Sequence, residues 1–371
     1  MKIGILTLPL HTNYGGILQA YALQTVLERM GHEVVVLSHR RKYSLSIWRQ
    51  PLSYSKRIIK KYILGRKDTR IFAEQHQQKE YDIISQHTQK FIDTYIHTYN
   101  VESFKKLKSA DFDAIIVGSD QVWRPKYFTY LFNASIENAF LSFAQEWNIK
   151  RVSYAASFGT EDWEYIAEDT SLCGELLKLF NVVTVREESA VRLCKERLGV
   201  EASHVLDPTM LLNKENYIKL FDVSNTPKSS GNLMTYILDS TPEKTDIINK
   251  ISKEKGLTPF RVNSKAKGPN ISVEERIQPP VEAWLRGFYD AEFVVTDSFH
   301  ACVFSIIFGK PFVVIGNRDR GMARFESLLK MFGLEDCLVT PDSDIVVKYC
   351  DYTKLREYQD YSLKQLSQAL W

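Results

Sequence analysis

Apolar and polar positions along this chain follow two alternating rhythms. Short apolar runs bounded by turn residues read as buried strands, and between them apolar residues recur at helical spacing. Ile3–Leu8 is the first such strand, Gly16–Met30 is helical with Gly31 just past its end, and Val34–Leu37 is a second strand. A strand–helix–strand opening implies a parallel sheet. The rhythm continues through strands at Ala114–Val117, Val152–Ala155, Val182–Val185 and His204–Leu206, after which Asp207-Pro208 punctuates the chain. The small, polar, turn-rich segment Ser224–Gly231 reads as a linker. Beyond it come strands at Leu233–Leu238, Pro259–Val262, Phe293–Thr296 and Val313–Ile315, with helices at Glu243–Lys255, Ser298–Phe308 and Met322–Met331. The pattern predicts an α/β protein made of two Rossmann-like domains facing across a cleft. Residues 1–223 form the first domain and 232–350 the second, and a helix over 351–371 is expected to pack back on the first.

One region departs from this rhythm. Residues 40–67 hold ten Lys/Arg and no Asp/Glu. Tyr54, Ile58, Ile59, Tyr62 and Ile63 fall on one helical face, and Lys56, Arg57, Lys60 and Lys61 on the other. A basic amphipathic helix suits an anionic membrane surface. Charge runs are more often solvated faces, so the favoured expectation is an insertion helix whose apolar side packs on its own domain.

Composition narrows the class. At 371 residues the chain exceeds what one hydrophobic core usually carries, in keeping with two domains. A net charge of +3 is too small to make nucleic acid the main partner. The five cysteines are scattered, with no CxxC pair, which argues against a disulfide framework or a zinc site and for a reducing compartment. The apolar N-terminal run ends at Pro9, too short for a signal peptide, and no segment is long enough to cross a bilayer as a helix. The expected location is cytoplasmic, with peripheral contact at the inner membrane face if the basic helix is used.

Five strand ends carry candidate chemistry. In doubly wound sheets, ligands bind at the carboxyl ends of strands. His11-Thr12-Asn13-Tyr14-Gly15-Gly16 follows the first strand and opens a helix, where an anion is favoured; a ligand-free tight turn is the alternative. Gly118-Ser119-Asp120-Gln121 puts a carboxylate at the mouth of the sheet, either to handle a hydroxyl or to cap the next element. Arg186 ends another strand and could grip a carboxylate or phosphate, or pair with a neighbouring acid. Thr296-Asp297-Ser298-Phe299-His300 sets an imidazole at the start of an apolar helix, either as a proton carrier beside an anion or as a bonded core histidine. Arg318, Arg320 and Arg324 cluster after Val313–Ile315, as anion ligands or as a solvated loop. Asp111-Phe112-Asp113 precedes its strand, so it is a poor metal–nucleotide motif, and no Walker A, HExxH or GxSxG is present.

Taken in order, Asn13-Tyr14-Gly15, Gly118-Ser119-Asp120, Ser153–Gly159, Arg186-Glu187-Glu188-Ser189, Asp207-Pro208-Thr209, Thr296–His300 and Gly309-Lys310-Pro311 resemble the polysaccharide pyruvyl transferase family, over about residues 1–340. The resemblance implies a GT-B-like fold and transfer of a pyruvyl group from phosphoenolpyruvate to a sugar hydroxyl pair, giving a pyruvate ketal on a surface polysaccharide or its lipid-linked precursor. It implies no metal and no cofactor beyond that co-substrate. Carried over by position, His300, Asp120 and Arg186 are catalytic. Ser298, Phe299, Arg318, Arg320 and Arg324 face the donor, and Asn13, Tyr14, Gly15, Ser119 and Gln121 face the glycan acceptor. The sequence departs at Ser298, where better-studied relatives have arginine, and Arg318, Arg320 or Arg324 would have to supply that charge. A glycosyltransferase using a nucleotide sugar, or a non-catalytic glycan- or anion-binding subunit, are the alternative functions on such a scaffold.

Overall fold

The computed structural model describes residues 1–39, 50–65, 70–265, 271–316, 321–340 and 348–371. The strands are short, and the central ones are apolar on both faces, as strands covered by helices on either side must be. In the first half these are β1 (Lys2–Leu6), β2 (Glu33–Ser38), β3 (Thr98–Asn100), β4 (Ala114–Val117), β5 (Lys150–Ala156), β6 (Val182–Val185) and β7 (Ser203–His204). All pair in parallel, in the order β3-β2-β1-β4-β5-β6-β7. That is the dinucleotide-fold order with one strand added, and it reverses direction between β1 and β4. The second half holds β8 (Leu233–Tyr236), β9 (Pro259–Arg261), β10 (Phe293–Thr296), β11 (Phe312–Ile315) and β12 (Leu338–Val339), parallel in the order β12-β11-β10-β8-β9. This is the flavodoxin-like order, reversing between β8 and β10. The two reversal points face one another across the gap between the sheets.

Helices fill the crossovers. In the first half they are α1 (Tyr14–Arg29), α2 (Gln50–Ile58), α3 (Ala73–Ile84), α4 (Gln86–Tyr95), α5 (Pro125–Phe132), α6 (Ala167–Leu177), α7 (Glu188–Leu198) and α8 (Lys214–Val223). The second half has α9 (Pro242–Lys255), α10 (Val281–Asp290), α11 (Phe299–Phe308) and α12 (Ala323–Phe332), with α13 (Tyr352–Leu370) at the end. One apolar core runs from α1 and the first sheet through α10 and α11 into the second. Every residue of α11 is buried, as expected of a helix that is apolar all round. The closing helix α13 reaches back to the first half. Its Ser362 Oγ accepts the Leu206 N–H at 3.0 Å, its Gln359 amide donates to the Met210 carbonyl at 2.6 Å, and Lys150 Nζ donates to the Leu370 carbonyl at 2.6 Å.

The basic helix corrects the favoured expectation. α2 runs into a π-helical turn at Ile59–Ile63, and none of residues 51–65 is buried; Tyr54 meets Phe72 at 5.2 Å, but Ile58, Ile59, Tyr62 and Ile63 are left exposed instead of packing on the domain. The rest of the basic stretch, 40–49 and 66–67, lies outside the described residues. Among the described residues, no helix is long and apolar enough to cross a membrane.

Candidate active site

Local geometry at four strand ends of the first sheet builds one wall of the cleft. After β1, Asn13 caps α1, its Oδ1 accepting the Gly15 N–H at 3.1 Å. Gly15 must lack a side chain, because a Cβ there would sit 2.0 Å from His300 Nδ1. After β4, Asp120 takes a left-handed backbone (φ 59°), a conformation aspartate tolerates better than most residues. In β5 the register shifts between Ser153 and Ala156, where Ala155 has φ 51° and its N–H donates to Thr184 Oγ1 at 3.1 Å instead of to the ladder. A bulge of this kind re-aims the chain that follows it. It delivers Ser157 Oγ and the N–H groups of Phe158 and Gly159 to Glu187 Oε1, at 2.9, 2.9 and 3.1 Å. After β7, Asp207 caps the turn Pro208–Leu211 by accepting from the Thr209 N–H at 3.0 Å and its hydroxyl at 2.7 Å.

These loops converge on a buried charge cluster that α11 completes from the other half. Arg186 donates to Asp207 Oδ2 at 2.9 Å and to Asp120 Oδ1 at 3.4 Å. Ser119 Oγ donates to the same Asp207 oxygen at 3.3 Å. His300 Nε2 lies 3.7 Å from it, outside hydrogen-bond distance but within range of a strong charge interaction. Arg324, at the start of α12, brings Nη1 to 4.0 Å from Asp120 Oδ1. The Phe299 ring is covered by both guanidiniums, whose Cζ atoms lie 4.7 Å (Arg186) and 5.2 Å (Arg324) from its centroid.

The electrostatics follow from that packing. Burial alone would raise the Asp120 carboxyl, but Arg186, His300 and Arg324 outweigh it and hold it below the ordinary carboxylate range. Asp207 is held well below that range as well: burial works against its charge, and His300, Arg186 and Thr209 overcome that. Burial likewise opposes the Arg186 charge, which Asp207, Asp120 and Glu187 more than restore. Arg324 is the exception. Burial and the neighbouring Arg186 push its guanidinium down to about 10, against partial offset from Asp120 and Glu187. It stays charged at neutral pH.

Above the cluster opens a cleft of about 730 Å³ between the two reversal points. Its first wall holds Asn13, Asp120 and Gln121, with Lys126, Tyr127 and Tyr130 of α5 at the rim. The second holds Ser298, Phe299, His300 and Arg324. The His300 ring lines the cleft, while its Nε2 is buried 3.7 Å from Asp207 Oδ2 with no hydrogen-bond partner among the described residues.

Three expected positions are corrected. Arg186 does not line the cleft; it is buried beneath Phe299 and paired with two aspartates, so it holds the carboxylates instead of a ligand. Tyr14 is fully buried, its ring 5.3 Å from Trp284 and its hydroxyl donating to the Pro279 carbonyl at 2.7 Å, so it joins the two halves instead of meeting an acceptor. Ser119 is fully buried beneath Asp207, its N–H donating to Gln19 Oε1 at 3.1 Å. Gly15 is buried against His300, Gln121 accepts from Arg124 at 3.1 Å while lining the cleft, and Ser298 leads α11 without a side-chain cap bond. Arg318 and Arg320 lie outside the described residues. In the sequence Asp207 stands as punctuation after a strand and in the Asp207-Pro208-Thr209 motif, and Glu187 stands in its own motif, without a site role for either. An acid directly before a proline at a strand end was the available signal for Asp207, and nothing local distinguished Glu187 from a surface acid.

A family model for polysaccharide pyruvyl transferase matches residues 13–320. No curated protein matches the chain. Among solved structures, a putative UDP-N-acetylglucosamine 2-epimerase from Listeria monocytogenes is 11% identical with TM-score 0.49, covering 99% of this chain and 90% of its own. The UDP-GlcNAc 2-epimerase from Neisseria meningitidis bound to UDP-GlcNAc is 12% identical with TM-score 0.48, covering 98% and 94%. The ADP-heptose LPS heptosyltransferase II from E. coli is 10% identical with TM-score 0.36, covering 100% and 98%. Likeness at this distance carries no chemistry to this chain.

Proposed function

The chain belongs to the polysaccharide pyruvyl transferase family, and from that premise we propose that it transfers a pyruvyl group from phosphoenolpyruvate to two hydroxyls of one sugar, on a surface polysaccharide or its lipid-linked precursor, in the cytoplasm. The observation that carries the reading is the meeting of His300 and Arg324 from one half with Asp120 from the other at a single cleft, above the buried Asp207. Arg324, which lines the cleft, receives the phosphate or carboxylate of the donor and supplies the charge that Ser298 does not. His300 donates a proton to the methylene carbon, leaving cationic character at the adjacent carbon. A sugar hydroxyl attacks there and loses its proton, the carbon–oxygen bond to phosphate breaks, and the second hydroxyl closes the ketal with loss of a second proton. With its depressed pKa, Asp120 is a weak base, so it orients the hydroxyl and takes a proton only once the new bond has made that oxygen acidic. Asp207 and Arg186 touch no substrate in this scheme and serve as positioning residues.

Purified protein incubated with phosphoenolpyruvate and glycan tests this. Phosphate release coupled to a ketal-linked pyruvate on the glycan, read by mass spectrometry, is the expected result. Consumption of a nucleotide sugar instead, or glycan binding with no phosphate release, would overturn it in favour of a glycosyltransferase or a non-catalytic subunit.

A further inference from the structure

Large apolar side chains left in solvent concentrate in one place. Leu52, Tyr62, Ile63 and Leu64 are 62, 70, 74 and 62% exposed, and Ile58, Ile59 and Phe72 are exposed beside them. Single exposed leucines need no explanation, but a contiguous set on one short helix does. Leu52, Ile59 and Ile63 recur at i, i+7 and i+11, one helical stripe, and the lysines Lys56 and Lys60 on the same helix are exposed. The charge is of one sign, with no acid anywhere from 40 to 67.

The opposite side of the helix is anchored. Arg57 makes a two-pronged pair with Glu74 of α3, both bonds 2.6 Å, and Tyr54 meets Phe72 edge-on at 5.2 Å. α3 in turn is fixed to both halves: Tyr81 bonds His11 Nδ1 at 2.9 Å and lines the cleft, and Arg276 pairs with Glu80 at 3.4 Å. The apolar stripe is therefore presented outward from a helix pinned to α3, whose Tyr81 lines the cleft.

We propose that α2 with its π-helical extension is a docking surface for an anionic lipid bilayer, lying in the interface with Leu52, Ile59, Tyr62 and Ile63 inserted and Lys56, Lys60 and Lys61 at the level of acidic headgroups. An acidic protein partner would match the lysines but leave the stripe wet, whereas a lipid surface satisfies both. The purpose rests on the pyruvyl-transfer reading, since docking beside the cleft would present a lipid-linked acceptor to it. The binding itself does not depend on that reading.

The full chain, without substrate, is floated with vesicles of phosphatidylcholine mixed with phosphatidylglycerol and with vesicles of phosphatidylcholine alone. Binding to the mixed vesicles, weakened by salt, is expected. Lys56→Glu with Lys60→Glu should weaken it roughly tenfold or more. Ile59→Asp with Ile63→Asp should abolish it, with circular dichroism and turnover of a water-soluble acceptor unchanged. Three results would overturn the proposal: equal binding to neutral vesicles, vesicle binding untouched by both double variants, or a dimer that Ile63→Asp converts to monomer in a protein that ignores vesicles. Loss of pyruvyl transfer with vesicle binding intact would refute the enzymatic reading alone.

Discussion

On the first wall of the cleft Asp207 accepts four hydrogen bonds, from Ser119, Arg186 and the Thr209 amide and hydroxyl, and Glu187 Oε1 accepts three more. On the second wall His300 Nε2 accepts and donates none among the described residues, and the Ser298 hydroxyl leaves the α11 N-terminus uncapped. Both walls are buried, so the contrast is not one of solvent access. A buried carboxylate with every lone pair engaged, as in Asp207, is fixed in place and in protonation state, whereas Glu187 Oε2 has no hydrogen-bond partner among the described residues. The imidazole is held differently, by a 3.7 Å charge contact from Nε2 to Asp207 with no hydrogen bond on that nitrogen among the described residues. On the proposed scheme the first wall holds shape and the second reacts. Substitutions on the two walls should therefore fail differently, one in stability and the other in rate.

The largest effect belongs to the first wall. Asp207→Ala leaves the Arg186 charge buried with one partner fewer, and breaking a buried pair in this way costs about 3–5 kcal/mol. Urea unfolding should show it as a lowered midpoint. The pH dependence follows from the sign of the shift. A carboxyl depressed in the folded state adds stability above its unfolded pKa, near 4, and loses it as pH falls through the folded value. The gap between wild type and Asp207→Asn should be widest above about pH 4 and close steadily below it. A constant gap across the acid range would place the effect in packing instead of charge.

His300→Ala sharpens the comparison from the other side. Turnover should fall by about 10²–10⁴ while the urea midpoint moves less than for Asp207→Ala, since the ring gives up a 3.7 Å charge contact with Asp207 but no Nε2 hydrogen bond. If stability falls and rate does not, the walls have been assigned the wrong way round.

Gly15→Ala tests whether the first wall sets the imidazole. The new methyl would lie 2.0 Å from His300 Nδ1, so either α1 or the ring must shift. A displacement near 1 Å at the reacting group lowers rate by about a hundredfold. The loss should vanish in the His300→Ala background, because there is no ring left to move. Additive losses in the double variant would mean that Gly15 acts on α1 packing alone.

How far the sequence carried these conclusions differs between the walls for the same physical reason. Strand and helix periodicity located nearly every central element, because apolar spacing is a local property: Ala114–Val117 and Phe293–Thr296 coincide with β4 and β10. His300 and Asp120 were legible because each sits at a strand end on a reversal point. Arg186 was placed correctly in the chain and wrongly in the site, since its pairing with Asp120 and Asp207 spans 66 and 21 residues of sequence. Tyr14 was misread for a similar reason: its partners Trp284 and Pro279 belong to the other half. Burial of α2 was expected from its amphipathic pattern, but a pattern gives a face and not what covers it.

The smallest effect separates the two arginines that share Phe299. Arg186 is paired beneath the ring, while Arg324 lines the cleft and carries the charge that burial and Arg186 depress. Arg324→Gln removes a charge-assisted contact to the donor, worth about 1.5–3 kcal/mol, so KM for phosphoenolpyruvate should rise about 10–100-fold with a smaller change in kcat. KM for the acceptor should hold, because the donor's anionic groups are what this guanidinium meets. Arg186→Gln should instead lower stability and leave the KM for phosphoenolpyruvate close to wild type. If the two variants exchange these behaviours, the buried arginine reaches the donor after all, and the ion pairs seen beneath Phe299 must open when it binds.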